Sequence, residues 1–118
     1  MPHTPLKTAL AASWLLLAGW TGTAAAETGL ASYYGPTGHR TASGRHYTGN
    51  EAWCAHRHLR FGTHVRVTRL DNGRSVRCEI QDRGPFVRGR IIDVSPRLAR
   101  GLGLIERGIV RVMIEVLD

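Results

Sequence analysis

Ile80-Gln81-Asp82-Arg83-Gly84-Pro85-Phe86-Val87-Arg88-Gly89-Arg90-Ile91-Ile92-Asp93-Val94-Ser95 is the stretch on which the reading of this chain turns. Two β-prone runs, Val76–Ile80 and Ile91–Val94, enclose a polar apex, Asp82 to Phe86. Gly84 and Pro85 break any helix and leave Asp82 at a strand end ahead of a sharp loop. A carboxylate on so rigid an exit is a candidate general acid. The alternative is a carboxylate that accepts backbone N–H bonds from its own loop and fixes the turn.

Working outward, His64 to Leu70 alternates, with Val65 and Val67 on one face and Arg66 and Thr68 on the other. Asp71-Asn72-Gly73 then predicts a hairpin turn in which Asn-Gly takes positive φ at both central positions. The returning strand, Ser75 to Gln81, puts Val76, Cys78 and Ile80 on one side. Gly29–Tyr34 reads as a first strand, and residues 35 to 50, rich in Gly, Thr and Ser, as a long loop of the kind that carries function. Ser95-Pro96 marks a helix start, serine as N-cap and proline at the first helical position. Leu98, Leu102 and Ile105 are expected to face inward, with Gly101 and Gly103 ending the helix early. Ile109 to Leu117 reads as the closing strand. Such a set of short strands with one helix predicts a small closed β-barrel, which leaves no exposed edge.

The first 26 residues read as a secretory leader. Lys7 supplies the positive region, Thr8 to Trp20 the apolar stretch, and Ala24-Ala25-Ala26 the cleavage site, with Glu27 as the mature N-terminus. Thirteen apolar residues reach only about 20 Å as a helix, short of a membrane core of roughly 30 Å, so no transmembrane anchor is expected. No cysteine lies near the cleavage site, so no lipid anchor is expected either. Residues 27–118 then form one domain. So small an exported domain commonly needs a staple, and Cys54 and Cys78 are the only two cysteines. Without C-x-x-C spacing they make a poor metal pair, and a disulfide is the favoured reading.

The whole chain carries a formal charge of +7, and loss of Lys7 leaves +6, all of the basic residues then being arginine. That balance suits an anionic partner. Export and the absence of a compact basic stripe argue against nucleic acid and favour cell-wall polymer, lipopolysaccharide or acidic headgroups. His39, His46, His56, His58 and His64 follow no recognised zinc spacing, so no metal or other cofactor is expected.

Taken with Leu30-Ala31-Ser32-Tyr33-Tyr34-Gly35, Cys54-Ala55-His56 and Phe61-Gly62-Thr63, the Asp82–Phe86 apex resembles the RlpA-like double-psi β-barrel family, from about Gly29 to Val116. The resemblance implies a mainly β fold, a small six-stranded double-psi barrel with one short helix, in a monomeric periplasmic or extracellular protein. It further implies an endolytic lytic transglycosylase acting on peptidoglycan glycan strands. Such an enzyme cuts between N-acetylmuramic acid and N-acetylglucosamine and leaves a 1,6-anhydromuramoyl end. Because the sugar's own C6 hydroxyl is the nucleophile, one carboxyl can serve as acid and then base, where a hydrolase needs two.

By the same resemblance Asp82 and His56 are the catalytic pair. Tyr34, Arg45, Arg83 and Phe86 are expected to bind substrate, and Tyr33, Tyr47 and Trp53 are further faces for stacking or core packing. Asp82 would need its pKa raised by burial or a like charge, whereas Arg83 pushes the other way. One departure matters: the family commonly carries glutamate where this chain has Arg45, and Glu51, six residues on, is a candidate substitute. Asp93 is expected to serve the fold as a buried acceptor beside the Ser95 cap. The rival function is a non-catalytic glycan-binding or wall-loosening module, as in the expansin- and barwin-like relatives of the barrel.

Overall fold

The computed structural model describes residues 26–35 and 38–118. Apart from Ala26, the stretch expected to be a leader lies outside the described residues. Six strands close a barrel in the order β1-β5-β2-β4-β3-β6. They are β1 (Ala26–Tyr33), β2 (Trp53–Ala55), β3 (His64–Arg69), β4 (Ser75–Asp82), β5 (Arg90–Val94) and β6 (Val110–Val116), with a single helix among the described residues, α1 (Pro96–Leu102), between β5 and β6. The pairs β1–β5 and β2–β4 are parallel and the other four antiparallel. This is a double-psi β-barrel with one short helix.

The alternation seen in the sequence places the core. Ala31, Val65, Val67, Cys78, Ile80, Ile92, Val94, Val112 and Ile114 point inward and are buried. Leu98, Ala99 and Leu102 of α1 add to that core. Ile105, expected to join them, is 38% exposed, because the helix stops at Leu102 and Leu104 takes the buried place. Gly103 ends it in the left-handed conformation, where a side chain would be strained, and its N–H returns to the Arg100 carbonyl. Ser95 caps the other end, its Oγ accepting from the Leu98 N–H while donating to the Glu51 carbonyl at 2.6 Å.

The β3–β4 turn differs from the sequence expectation. Asn72 does not adopt positive φ; only Gly73 does. The strands are joined by a four-residue loop, Leu70 to Gly73, closed by Arg69 N–H to Arg74 O at 2.8 Å and steadied by Asn72 Oδ1, which accepts from Arg74 N–H. Arg69, on the buried face of β3, explains why a tight two-residue turn is not used. Its guanidinium reaches past the loop to the Leu102 and Gly103 carbonyls and to Asp71, tying the turn to the helix C-terminus, where positive charge is favoured. Cys54 and Cys78 form the disulfide, with Cα atoms 5.9 Å apart and both residues buried, so the staple joins β2 to β4 through the core.

Candidate active site

Strand register brings two carboxylates onto one row. Asp93 on β5 pairs with Ser32 of β1 on one side and with Ala55 of β2 on the other, and Ala55 pairs in turn with Asp82 of β4. Residues that pair across strands share a face. Since Ala31, Cys54, Ile92 and Val94 point into the core, the row Ser32–Asp93–Ala55–Asp82 lies on the other face, a register shift after Cys54 setting Asp82 opposite Ala55. Ser32 and Ala55 are buried there and the two carboxylates half-buried. Asp82 and Asp93 stand two strands apart, about 10 Å between Cα atoms at the usual strand spacing.

Each carboxylate is held differently. Asp82 Oδ1 accepts two backbone N–H bonds, from Ala42 and Arg83, both 2.9 Å. The Ala42 bond comes from a tight turn, Thr41 to Arg45, closed by Thr41 N–H to Arg45 O at 2.7 Å and shaped by Gly44 at positive φ. Ser43 pins that turn to β4 through Gln81, its Oγ donating to Gln81 Oε1 at 2.6 Å. Asp82 Oδ2 has no hydrogen-bond partner among the described residues. Asp93 instead takes a short hydrogen bond from Ser32 Oγ. Burial pushes its carboxyl above the ordinary aspartate range, the Asp82 charge adds to the rise, and Ser32 and Arg90 oppose it. Asp93 is thus a half-buried acceptor, as expected, with Ser32 rather than the Ser95 cap as its donor.

Tyr34 completes the row. Its N–H bonds the Val94 carbonyl at 3.0 Å, and its ring packs edge-on against buried Tyr47, with centroids 4.8 Å apart. Its hydroxyl is raised far above the usual phenol range, by burial first and then by the charges of Asp82 and Asp93.

His56 is placed otherwise than the resemblance implies. Its ring is 1% exposed and makes no hydrogen bond to Asp82. Nδ1 accepts the N–H groups of His58 and Leu59, so Nε2 carries the proton and donates to Glu27 Oε1 at 3.1 Å. Burial holds its pKa below the ordinary histidine value, against the pull of Glu27. The link to Asp82 runs through the main chain: His56 N–H donates to the Asp82 carbonyl, and Arg83 Nη1 donates to the carbonyls of His56 and Leu59. The Arg83 guanidinium also lies 4.0 Å over the Phe61 ring, so Arg83 is spent on the loop of residues 56 to 61. Phe86, on the cis Gly84–Pro85 loop, is 79% exposed beside Asp82. Arg45 extends over Trp53, 5.5 Å from the ring centre. Glu51 does not replace the missing glutamate: its carboxylate accepts from the N–H groups of Thr48 and Gly49 and from Thr48 Oγ1. A hollow of about 410 Å³ lined by residues 59 to 63, Val116 and Asp118 includes neither carboxylate of the row.

A family model described as lytic transglycolase matches residues 26–114. The chain belongs to this lytic transglycolase family. It is 52% identical over 93 residues to a probable endolytic peptidoglycan transglycosylase RlpA of Nostoc, covering 75% of this chain and 25% of that protein. The corresponding protein of Pasteurella multocida is 46% identical over 95 residues, 79% of this chain and 32% of the relative. The chain thus spans about a quarter to a third of the length of these relatives. Among solved structures it is similar to the Streptomyces papain inhibitor, with a TM-score of 0.64, 23% identity, and coverage of 79% of this chain and 94% of that one. It is also similar to the Clavibacter michiganensis expansin, with a TM-score of 0.61, 21% identity, and coverage of 79% and 50%. At these identities the two structures establish the shared barrel. Among the lytic transglycolase residues described here, the carboxylate row is the chemistry the barrel presents.

Proposed function

We propose that this chain is an endolytic peptidoglycan transglycosylase that cuts the MurNAc–GlcNAc bond and leaves 1,6-anhydro-MurNAc ends. The observation that carries the reading is the pair Asp82 and Asp93, either side of Ala55, in a member of the lytic transglycolase family. The C6 hydroxyl lies on the same face of the ring as the leaving oxygen, so both carboxyls can serve from one side of the sugar and no water is needed on the other.

Asp93 is the acid, because burial and the neighbouring charge favour its protonated form. Asp82 is the base: Oδ1 is fixed by two amides, which leaves Oδ2 to take a substrate proton. In the step, Asp93 gives its proton to the glycosidic oxygen as the C1–O bond breaks. O6 of the same muramic acid forms the new bond to C1, and its proton passes to Asp82. No water enters the product, and the carboxyls reset by exchange with solvent.

His56 supports this site through the main chain. Phe86 offers an exposed apolar face to a neighbouring sugar, and Arg45 offers a cation to an anionic group of the wall. Residues 1–26 act as a cleaved leader that sends the domain, residues 27–118, to the periplasm or cell exterior as a monomer. Digestion of purified sacculi, native and amidase-treated, with products read by mass spectrometry, tests the activity. Anhydro-ended products are expected. Reducing ends would mean a hydrolase, and tight binding with nothing released would mean a glycan-binding module.

A further inference from the structure

A chain of side-chain hydrogen bonds runs along β4 into the turn that holds Asp82. Glu79 Oε2 accepts from Gln81 Nε2 at 2.8 Å, and Gln81 Oε1 accepts from Ser43 Oγ at 2.6 Å. Ser43 Oγ and Thr41 Oγ1 lie 2.8 Å apart, and Thr41 Oγ1 accepts from the Arg45 N–H at 3.1 Å. Gln81 and Thr41 are buried, Ser43 and Glu79 half-buried. The Glu79 end lines a hollow of about 220 Å³ with Trp53, His64 and Arg77. Glu79 forms no ion pair among the described residues, and His64, opposite it on β3, is paired with Asp118 instead.

The members of this chain give it one direction. A carboxylate only accepts, so Glu79 draws the Gln81 NH2 to itself and turns the Gln81 carbonyl towards Ser43. Ser43 has one hydroxyl proton and gives it to that carbonyl, so Thr41 is the donor at the Thr41–Ser43 contact. Thr41 keeps its lone pairs for the Arg45 N–H. With no acceptor at residue 79 the Gln81 amide could turn over and present NH2 to Ser43, and the network would hold two orders in place of one. What the single order fixes is the turn. Ser43 N–H adds a bond to the Gln81 carbonyl at 3.2 Å, and Ala42, between the two hydroxyl residues, gives its N–H to Asp82 Oδ1 at 2.9 Å. Two amides from separate segments hold that carboxylate; left with the Arg83 N–H alone, from the adjoining residue, it could swivel.

We infer that Glu79 is a positioning residue for Asp82: acting through Gln81, Ser43 and the Ala42 amide, it sets the angle at which the carboxylate meets the C6 hydroxyl. The inference rests on the transglycosylase reading and adds to it a residue that acts only through others. Small displacements of a reacting group are costly in rate, so a remote side chain can be felt in kcat without being felt in KM.

The test compares Glu79→Ala, Glu79→Gln and Ser43→Ala for kcat and KM on isolated glycan strands, for melting temperature, and for exchange of the Ala42 amide proton by NMR. Glu79→Ala should lower kcat about tenfold, the scale of one lost hydrogen bond, with KM little changed and Ala42 exchange faster. Glu79→Gln keeps an acceptor for Gln81 without the charge and should recover most of the rate. Ser43→Ala cuts the same chain, so Glu79→Ala/Ser43→Ala should be no slower than Ser43→Ala alone. Equal losses in Glu79→Gln and Glu79→Ala would overturn the inference by showing that charge alone matters, and additive losses in the double variant would overturn it by showing separate routes. If the parent makes anhydro ends and Glu79→Ala matches its kcat, the inference fails and the transglycosylase reading stands. Should Glu79→Ala not fold, Ser43→Ala decides: parental kcat or unchanged Ala42 exchange there overturns the inference. A parent that makes only reducing ends, or no product, removes the reading and the inference together.

Discussion

Asp82 and Asp93 stand on the strands either side of β2, both in register with buried Ala55. This relationship assigns the two halves of proton transfer to different side chains, and substitution can separate them. Asp82→Asn retains an oxygen for the Ala42 and Arg83 amides but cannot take a proton from O6. Asp93→Asn retains the Ser32 contact but cannot deliver one. Each should lower anhydro-product formation by about a hundredfold or more, the usual scale for loss of a general acid or base. The proteins should remain folded. A folded Asp82→Asn protein with full activity would overturn the assignment.

The two substitutions should differ in their pH dependence. The Asp93 carboxyl has a folded pKa above its unfolded value, so its contribution to stability is fully present below the unfolded pKa and is lost as pH rises through the folded one. Activity follows the same direction, because the acid works only while protonated. Asp93→Asn should therefore melt higher than the parent at neutral pH and above, while being less active. The parent's rate should fall as pH rises through the raised Asp93 pKa, and that limb should be absent from the residual rate of the variant. Melting curves and initial rates from about pH 4 to 9 check both; equal stability across that range would remove the argument from burial.

Much of the barrel was legible in the sequence. Alternation in His64–Arg69 and Ser75–Asp82 and the Ser95-Pro96 cap are local signals, and the structure keeps them within a residue or two. The strand Trp53–Ala55 is too short to show a period, and its place between β5 and β4 is set by partners far away in sequence. The site was half legible for the same reason. Asp82 announces itself beside Gly84 and Pro85. Asp93 sits in a plain apolar run, and only the pairing of β5 with β1 and β2 reveals that it lies next to Ser32 and in line with Asp82. Nothing local separates a histidine that serves chemistry from one that ties down its own loop; His56 ties down residues 58 and 59 and also lines a hollow of about 290 Å³ with Glu27 and His58.

The Cys54–Cys78 bridge closes a loop of 25 residues through the core. On the chain-entropy account it contributes about 3–4 kcal/mol. Reduction, or a Cys54→Ala/Cys78→Ala double substitution, should lower the melting temperature by roughly 10 °C or more in a domain of this size. Alkylation under denaturing, non-reducing conditions should find no free thiol in protein made in an oxidising compartment. Two alkylated cysteines would contradict the bridge.

The arginines supply attraction to the wall that does not depend on the carboxylates. Binding to sacculi should weaken as salt rises towards 1 M, where charges are screened beyond about 3 Å. Arg45 lies exposed on the turn that holds Asp82. Arg45→Glu should weaken binding at low salt and flatten the salt dependence. Affinity indifferent to salt would point to the exposed Phe86 face as the main attraction.

His56 yields the sharpest contrast between the two roles open to it. Its folded pKa lies below the ordinary 6.5, chiefly through burial, so the stability it brings is fully present above that value and is lost as pH falls through the folded pKa. Protonation would also turn Nδ1 from an acceptor into a donor facing the amides of His58 and Leu59. The melting temperature of the parent should therefore fall on acidification from pH 7 to 5. His56→Ala leaves those two amides without their acceptor and should cost about 1–3 kcal/mol at pH 7, with the acid-side fall reduced. Glu27→Gln removes the charge that pulls the His56 pKa upward, so the acid-side fall should begin at the same pH and run deeper, to lower pH. Measured well below its melting temperature, His56→Ala should keep most of its turnover, because the ring makes no hydrogen bond to Asp82. A His56→Ala protein that melts with the parent yet makes no anhydro product would return His56 to the chemistry beside Asp82, as the family resemblance implies.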